Sequence, residues 1–200
     1  IGGPNAPYKQ SERLSSYNKY AQILIEKGLA YADPYTEEEV EAFRKKADEE
    51  KRPFLYRDHR PENPPIWDGT KPLRFKITDI KSYEWTDEVR GNLKAGPEAL
   101  DDFILIKSDG YPTYNFAHII DDLEMGVTHI MRADEFISST PKFLALYEGL
   151  ELERPEFATL PPIMGPDGKK KLGKRDGAKD FMEYQKEGYL PEAMMNFLAF

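Results

Sequence analysis

Apolar positions recur at helical spacing from the start of the chain. Leu14, Tyr17, Ala21 and Leu24 fall on one face before Gly28, which predicts a helix with Ser11 as its cap. Thr36 and Glu39 have the form of a capping box, opening a second helix with Val40 and Phe43 buried and with Glu37, Glu38 and Glu39 offsetting the dipole at its start. Pro61-Glu62-Asn63-Pro64-Pro65 reads as an extended connector. Beyond it Leu73, Phe75 and Ile77 alternate with Arg74 and Lys76, the pattern of a half-buried strand. Phe103 to Lys107 predicts a strand, Asp109-Gly110 a tight turn, and Thr113 to Ile120 a second strand. Val127 to Met131 predicts another buried strand. Pro141 suits the first turn of a helix carrying Phe143, Leu144 and Tyr147 and ending at Gly149, and Phe157 to Met164 predicts a further strand. Phe181 to Lys186 and Pro191 to Phe200 read as helices, the last too apolar to stand exposed.

Strand, helix and strand in that order favour an open α/β sheet, whose ligands sit beyond the carboxyl ends of the strands. Composition narrows the class. With 200 residues, 40% of them hydrophobic, the chain can bury a real core. No apolar run approaches the roughly 20 residues that span a bilayer, and no signal peptide opens the chain, so the expectation is a cytoplasmic protein with no membrane partner. There is no cysteine, which removes disulfides and thiolate zinc sites, and His59, His118 and His129 lack ligand spacing; no metal site is expected. A net charge of −8 argues against general nucleic-acid binding, so any RNA contact must be local. The start at Ile1 without methionine and the apolar stop at Phe200 lead us to expect a fragment of a longer protein.

Against that acidic background, Lys169, Lys170, Lys171, Lys174 and Arg175 crowd one segment punctuated by Gly168, Gly173 and Gly177. Lysine supplies a mobile point charge, arginine a planar fork of donors, and glycine lets backbone approach an anion closely, so the segment suits phosphate; the alternative is a solvated basic surface.

The company this segment keeps is more specific. Upstream run Asp101 to Ala117 (DDFILIKSDGYPTYNFA), Asp121-Asp122, Met125 to Glu135 (MGVTHIMRADE) and Ser139-Thr140-Pro141; Pro7 to Arg13 (PYKQSER) precedes them, and Gly188 to Ala193 (GYLPEA) follows the basic segment. In that order they resemble the second half of the catalytic domain of class I aminoacyl-tRNA synthetases, most closely the bacterial glutamyl-tRNA synthetase family. The resemblance covers nearly the whole chain and is weakest between about Asp33 and Ala99.

It implies an α/β fold: the second half of a Rossmann-like catalytic domain with a small inserted α+β domain and C-terminal helices. The implied divisions are 1–32, part of the catalytic domain; 33–100, an inserted domain binding the tRNA acceptor end; 101–178, the second half of the catalytic domain with the lysine loop; and 179–200, the start of a helical stem-contact region. The implied reaction is ATP-dependent ligation of glutamate to tRNA through a glutamyl-adenylate. Such chemistry rests on positioning and electrostatic stabilisation more than on protein acids and bases. Lys174 matches the second lysine of the family's signature loop and is the implied catalytic residue; Lys171 and Arg175 support it, the backbone of Ile163 and Met164 holds adenine, and Glu135 the nucleoside. Arg132 matches the cation for the glutamate side chain, with a structural pair to Asp121, Asp122 or Asp134 as the alternative. Tyr114 and His118 line the same pocket; on their own they read as core or rim residues, and Asp121-Asp122, placed on a strand, as turn capping. Gly173 departs from the family, which usually has a hydroxyl residue there, so a hydrogen-bond donor is lost and flexibility gained.

The partners implied are ATP with Mg2+, glutamate and the tRNA acceptor end, in a monomer without zinc. A histidine-and-glycine ATP signature and an anticodon-binding region would complete the enzyme, so the segment alone is expected to be inactive. Two alternatives stay open: the paralogue that charges the queuosine of tRNA(Asp) with glutamate, and a non-catalytic RNA-binding or regulatory domain retaining the fold.

Overall fold

The computed structural model describes residues 3–165, 168–173 and 179–199. Helix α1 (Leu14–Glu26) buries Tyr17, Ala21 and Leu24, the face its spacing predicts. Its cap is Arg13, and Ser11 lies inside a preceding 3-10 turn, Gln10–Glu12, so the expected serine cap is absent. The chain leaves α1 through Gly28 at φ +69, a left-handed conformation that glycine adopts without strain. Helix α2 (Glu37–Glu49) has the expected capping box: Thr36 Oγ1 accepts from the Glu39 N–H at 3.2 Å, and Glu39 Oε2 accepts from the Thr36 N–H at 2.8 Å. Only Ala47 of this helix is fully buried, while Val40 and Phe43 are half-buried.

Two sheets carry the fold. In the first, β1 (Ala30–Ala32), β2 (Leu73–Phe75) and β5 (Phe103–Ile106) lie antiparallel in the order β1-β2-β5. The second has the order β4-β3-β7-β6, in which β3 (Tyr83–Asp87) and β4 (Gly91–Ala95) form an antiparallel hairpin, while β6 (His129–Ala133) and β7 (Glu156–Leu160) run parallel. β3 also pairs parallel with β7 at Asp87 and Phe157. Both sheets feed one hydrophobic core, which includes Tyr17, Leu73, Trp85, Leu105, Phe116, Phe143 and Phe157.

The alternation expected around Arg74 fails, because Arg74 is itself buried. Its guanidinium donates to Asp33 Oδ2 at 2.7 and 3.1 Å and lies over the Tyr56 ring, 3.3 Å from its centroid. A paired and stacked arginine can face the interior where a lone one cannot. Thr113 to Ile120 is helical: α3 spans Tyr114–Glu124, and Phe116 to Asp121 are all buried. Asp121 and Asp122 therefore sit on a helix, and Asp121 caps no turn; it accepts from Gln10 Nε2, Arg13 Nε and Tyr17 OH at 2.7 to 3.0 Å, binding α3 to α1. Helix α4 (Thr140–Leu150) opens with Pro141 and passes through Gly149, ending at the left-handed Glu151. A Cβ on Gly149 would come within 3.2 Å of the Phe75 ring, so close packing explains that glycine. The strand expected over Val127 to Met131 begins two residues later, and Met131 is exposed; β7 ends at Leu160, short of Met164. The last helices, α5 (Phe181–Lys186) and α6 (Pro191–Ala199), occur where expected, yet α6 buries none of its described side chains.

One buried carboxylate stitches the hairpin to the rest of its sheet. Asp87 accepts hydrogen bonds from the Val89, Arg90 and Thr159 N–H groups and from the Thr159 hydroxyl, at 2.6 to 3.0 Å. Burial pushes its carboxyl up, but these bonds, led by those from Thr159, outweigh that effect and hold it below the usual carboxylate range. A depressed folded pKa adds stability above the unfolded value of about 3.9 and loses it as pH falls through the folded value. Asp87→Asn is therefore expected to lower stability at neutral pH by about 1 to 3 kcal/mol and to flatten the acid-side decline, as read by urea unfolding over a pH series. An acid limb identical to that of the parent would remove Asp87 from this role.

Candidate functional site

Thr113 fixes where the site begins. Its hydroxyl donates to the Ile104 carbonyl at 2.7 Å and its N–H to the Leu105 carbonyl at 2.8 Å, tying the start of α3 to β5. From there Tyr114, His118 and Asp122 follow at spacings of four, which sets them on one face of the helix. Near the carboxyl end of β6 stands Arg132, and a 3-10 segment, Asp134–Ser139, brings Phe136 back beside it. The Arg132 guanidinium lies 5.2 Å from the centroids of both Phe136 and Phe143. The His118 ring stacks on Tyr114 at 4.8 Å and meets Phe143 edge-on at 4.6 Å. Tyr114, His118 and Arg132 are thus drawn together; Tyr114 is exposed, in contrast to its reading as core.

The polar atoms of this cluster are left incomplete. His118 Nδ1 lies 2.8 Å from the Tyr114 carbonyl, which only accepts, so Nδ1 carries the proton and Nε2 is left as an acceptor. Burial lowers the His118 pKa to about 4; the Tyr114 carbonyl opposes this and the Arg132 charge adds to it, so the ring is neutral at physiological pH. Among the described residues, four buried side-chain atoms lack a hydrogen-bond partner, and three belong here: His118 Nε2, Arg132 Nη1 and Tyr147 OH. Arg132 makes no ion pair within 4.0 Å among the described residues, so the structural pair with Asp121, Asp122 or Asp134 is not formed. A cation held between rings with an unused N–H is poised for an anionic or carbonyl ligand group, since an orphaned buried donor is costly.

The other candidates gather across the exit of β7. Glu135 and Lys171 form an exposed ion pair at 3.0 Å, and the lysine holds the glutamate below the usual carboxylate range. The Ile163 carbonyl accepts from the Leu172 N–H at 2.7 Å, Met164 bridges Lys171, and the Gly165 N–H donates to the Lys170 carbonyl at 2.8 Å. The basic segment therefore folds back along 163–165, setting Glu135, Ile163, Met164 and Lys171 side by side. Lys174 and Arg175 lie outside the described residues.

Sequence reasoning did not assign Phe136, Phe143 and Tyr147 to this site. Phe143 and Tyr147 share a face of α4 at a spacing of four, as Tyr114, His118 and Asp122 do on α3; the α3 stripe becomes visible only once Thr113 to Ile120 is read as a helix. Among the described residues no three His, Asp or Glu side chains converge to hold a metal. Among the same residues, no helix is long and apolar enough to cross a membrane.

A mixed α/β fold with candidate ligand groups beyond the carboxyl ends of two neighbouring parallel strands is of the open-sheet class. Residues 3–200 match the family described as tRNA synthetases class I (E and Q), catalytic domain, and the chain belongs to that family. It is 46% identical over its whole length to a glutamate–tRNA ligase of Carboxydothermus hydrogenoformans, and 43% identical to glutamate–tRNA ligase 1 of Caldanaerobacter subterraneus subsp. tengcongensis; it spans 43% of the length of each. It is also similar to the crystal structure of a glutamate tRNA ligase from Elizabethkingia meningosepticum in complex with its amino acid. That match has a TM-score of 0.85 and 35% identity, and covers 99% of this chain and 46% of the other. The family and fold class expected from the sequence are both borne out.

Proposed function

We propose that the chain is a catalytic segment of an enzyme that ligates glutamate to tRNA with ATP. In the first step an oxygen of the glutamate α-carboxylate attacks the α-phosphorus of ATP and pyrophosphate leaves; in the second the glutamyl group passes to the 3′ end of tRNA, releasing AMP. The observation that carries this reading is the aromatic cradle of Arg132, whose unpartnered Nη1 suits a side-chain carboxylate. Tyr114 and His118 line the glutamate pocket beside it. Glu135 and the backbone of Ile163 and Met164 take the nucleoside of ATP, and Lys171, Lys174 and Arg175 take its phosphates. Lys174 stabilises the charge that develops as pyrophosphate departs. Magnesium bound with ATP would supply further charge neutralisation on the phosphates.

In the same reading residues 33–100 receive the tRNA acceptor end, 1–32 and 101–178 are catalytic, and 179–200 begin a stem-contact region. The enzyme works in the cytoplasm as a monomer. Glutamate-dependent exchange between ATP and pyrophosphate by the complete protein is the direct test; no exchange with glutamate, with or without tRNA, overturns the proposal. Lys174→Ala is expected to slow that exchange by about a hundredfold or more with a much smaller change in the Michaelis constant for glutamate. A near-normal rate would return the basic segment to a solvated surface.

A further inference from the structure

Arg132 has a neighbour that the proposed reaction does not use. Asp122 completes the α3 stripe of Tyr114 and His118, is half-buried, and forms no ion pair within 4.0 Å among the described residues. With Tyr147 it lines a cleft of about 440 Å3, whose walls include His129 and Glu156, the first residues of β6 and β7. That cleft opens at the ends of the strands opposite to the proposed ligand site. Asp122 therefore faces a cleft on the side away from the proposed ligand site. Burial, with a smaller push from the Asp121 charge, raises its carboxyl above the usual range against the opposing pull of the Arg132 charge. The Tyr147 phenol responds to both charges, and its OH, like Arg132 Nη1, has no partner.

We propose that Asp122 tunes the specificity of this site: its carboxylate offsets part of the Arg132 guanidinium charge and so moderates the preference for a carboxylate-ended amino acid over the corresponding amide. This rests on the reading of Arg132 as the partner of the substrate's side-chain carboxylate. A carboxylate ligand feels the sum of the two charges, whereas an amide feels mainly local hydrogen bonds.

In the complete protein, Asp122→Asn is nearly isosteric and breaks no hydrogen bond seen here. It is expected to lower the Michaelis constant for glutamate by about three- to tenfold and to widen the ratio of kcat/KM for glutamate over glutamine to a similar extent. The constant for ATP should stay put, and Asp122→Glu, which keeps the charge, should behave as the parent. In an Arg132→Met background the effect of Asp122→Asn should vanish. An unchanged or raised constant for glutamate in Asp122→Asn, or equal losses for glutamate and ATP, overturns the tuning role. If Arg132→Met itself leaves glutamate unaffected, the reading of the pocket fails instead, so the two failures are distinguishable.

Discussion

Arg132→Met in the complete protein is expected to raise the Michaelis constant for glutamate about thirtyfold or more, to leave that for ATP within a few-fold, and to narrow the preference over glutamine. Methionine keeps an apolar stem of similar length between Phe136 and Phe143, so the cradle should stay filled while the charge is lost. A ligand carboxylate entering that cradle would then be desolvated without a partner, at a cost of roughly 2 to 5 kcal/mol. Removing Arg132 severs no ion pair that holds the fold, since none within 4.0 Å is present among the described residues. Steady-state kinetics with each substrate varied in turn reads the result. Equal increases for glutamate and ATP would mean that the side chain supports the sheet and does not read the ligand.

The largest stability effect is expected at Asp102, where a fully buried side chain gathers three segments. It accepts from Tyr31 OH at 3.0 Å, from Arg60 Nε and Nη2 at 2.7 and 2.6 Å, and from the Ile77 N–H at 2.9 Å. These donors come from β1, from the loop before β2 and from the segment after it. Asp102→Ala leaves the Tyr31 hydroxyl and the Ile77 N–H without this acceptor and Arg60 with only its bond to the Ile77 carbonyl, and breaking such a pair from one side costs about 3 to 5 kcal/mol. Asp102→Asn, which keeps one acceptor oxygen, should cost less. Equilibrium denaturation of the complete protein monitored by tryptophan fluorescence would register the change, because Trp85 lies in the shared core. A loss below about 1 kcal/mol for the alanine variant would show that Asp102 is dispensable to the fold.

Local signals were readable where the deciding contacts are local. The Thr36 and Glu39 capping box sits three residues apart, and the buried face of α1 repeats within a few turns. Reading failed where a distant partner decides. Thr113 to Ile120 is rich in tyrosine, phenylalanine and isoleucine, which suit strands, but packing against α1, with Asp121 clamped by Arg13 and Tyr17 across more than a hundred residues, makes it a helix. Arg74 looked like the outward residue of a strand because its partner Asp33 is 41 positions away. At the site, order along the chain and resemblance picked out Tyr114, His118, Arg132, Glu135 and Lys171, and the structure brings them into two neighbouring groups. What stayed hidden was the aromatic cradle, since Phe136 and Phe143 reach Arg132 only through the 3-10 segment after β6 and through α4.

The order of strands in the second sheet has a consequence for how the chain comes together. β3 lies between β4, its immediate successor in sequence, and β7, which begins about seventy residues later. During synthesis the hairpin can close early, yet its open edge and the Asp87 carboxylate must wait for Thr159 and the rest of β7 to emerge. The first sheet makes a similar demand, since β2 pairs on one side with β1 and on the other with β5. Pairings this distant slow folding and leave strand edges open to neighbouring chains meanwhile. A pause placed after residue 95 would hold that edge bare, whereas one placed only once β7 has left the ribosome would find every strand of both sheets ready to pair.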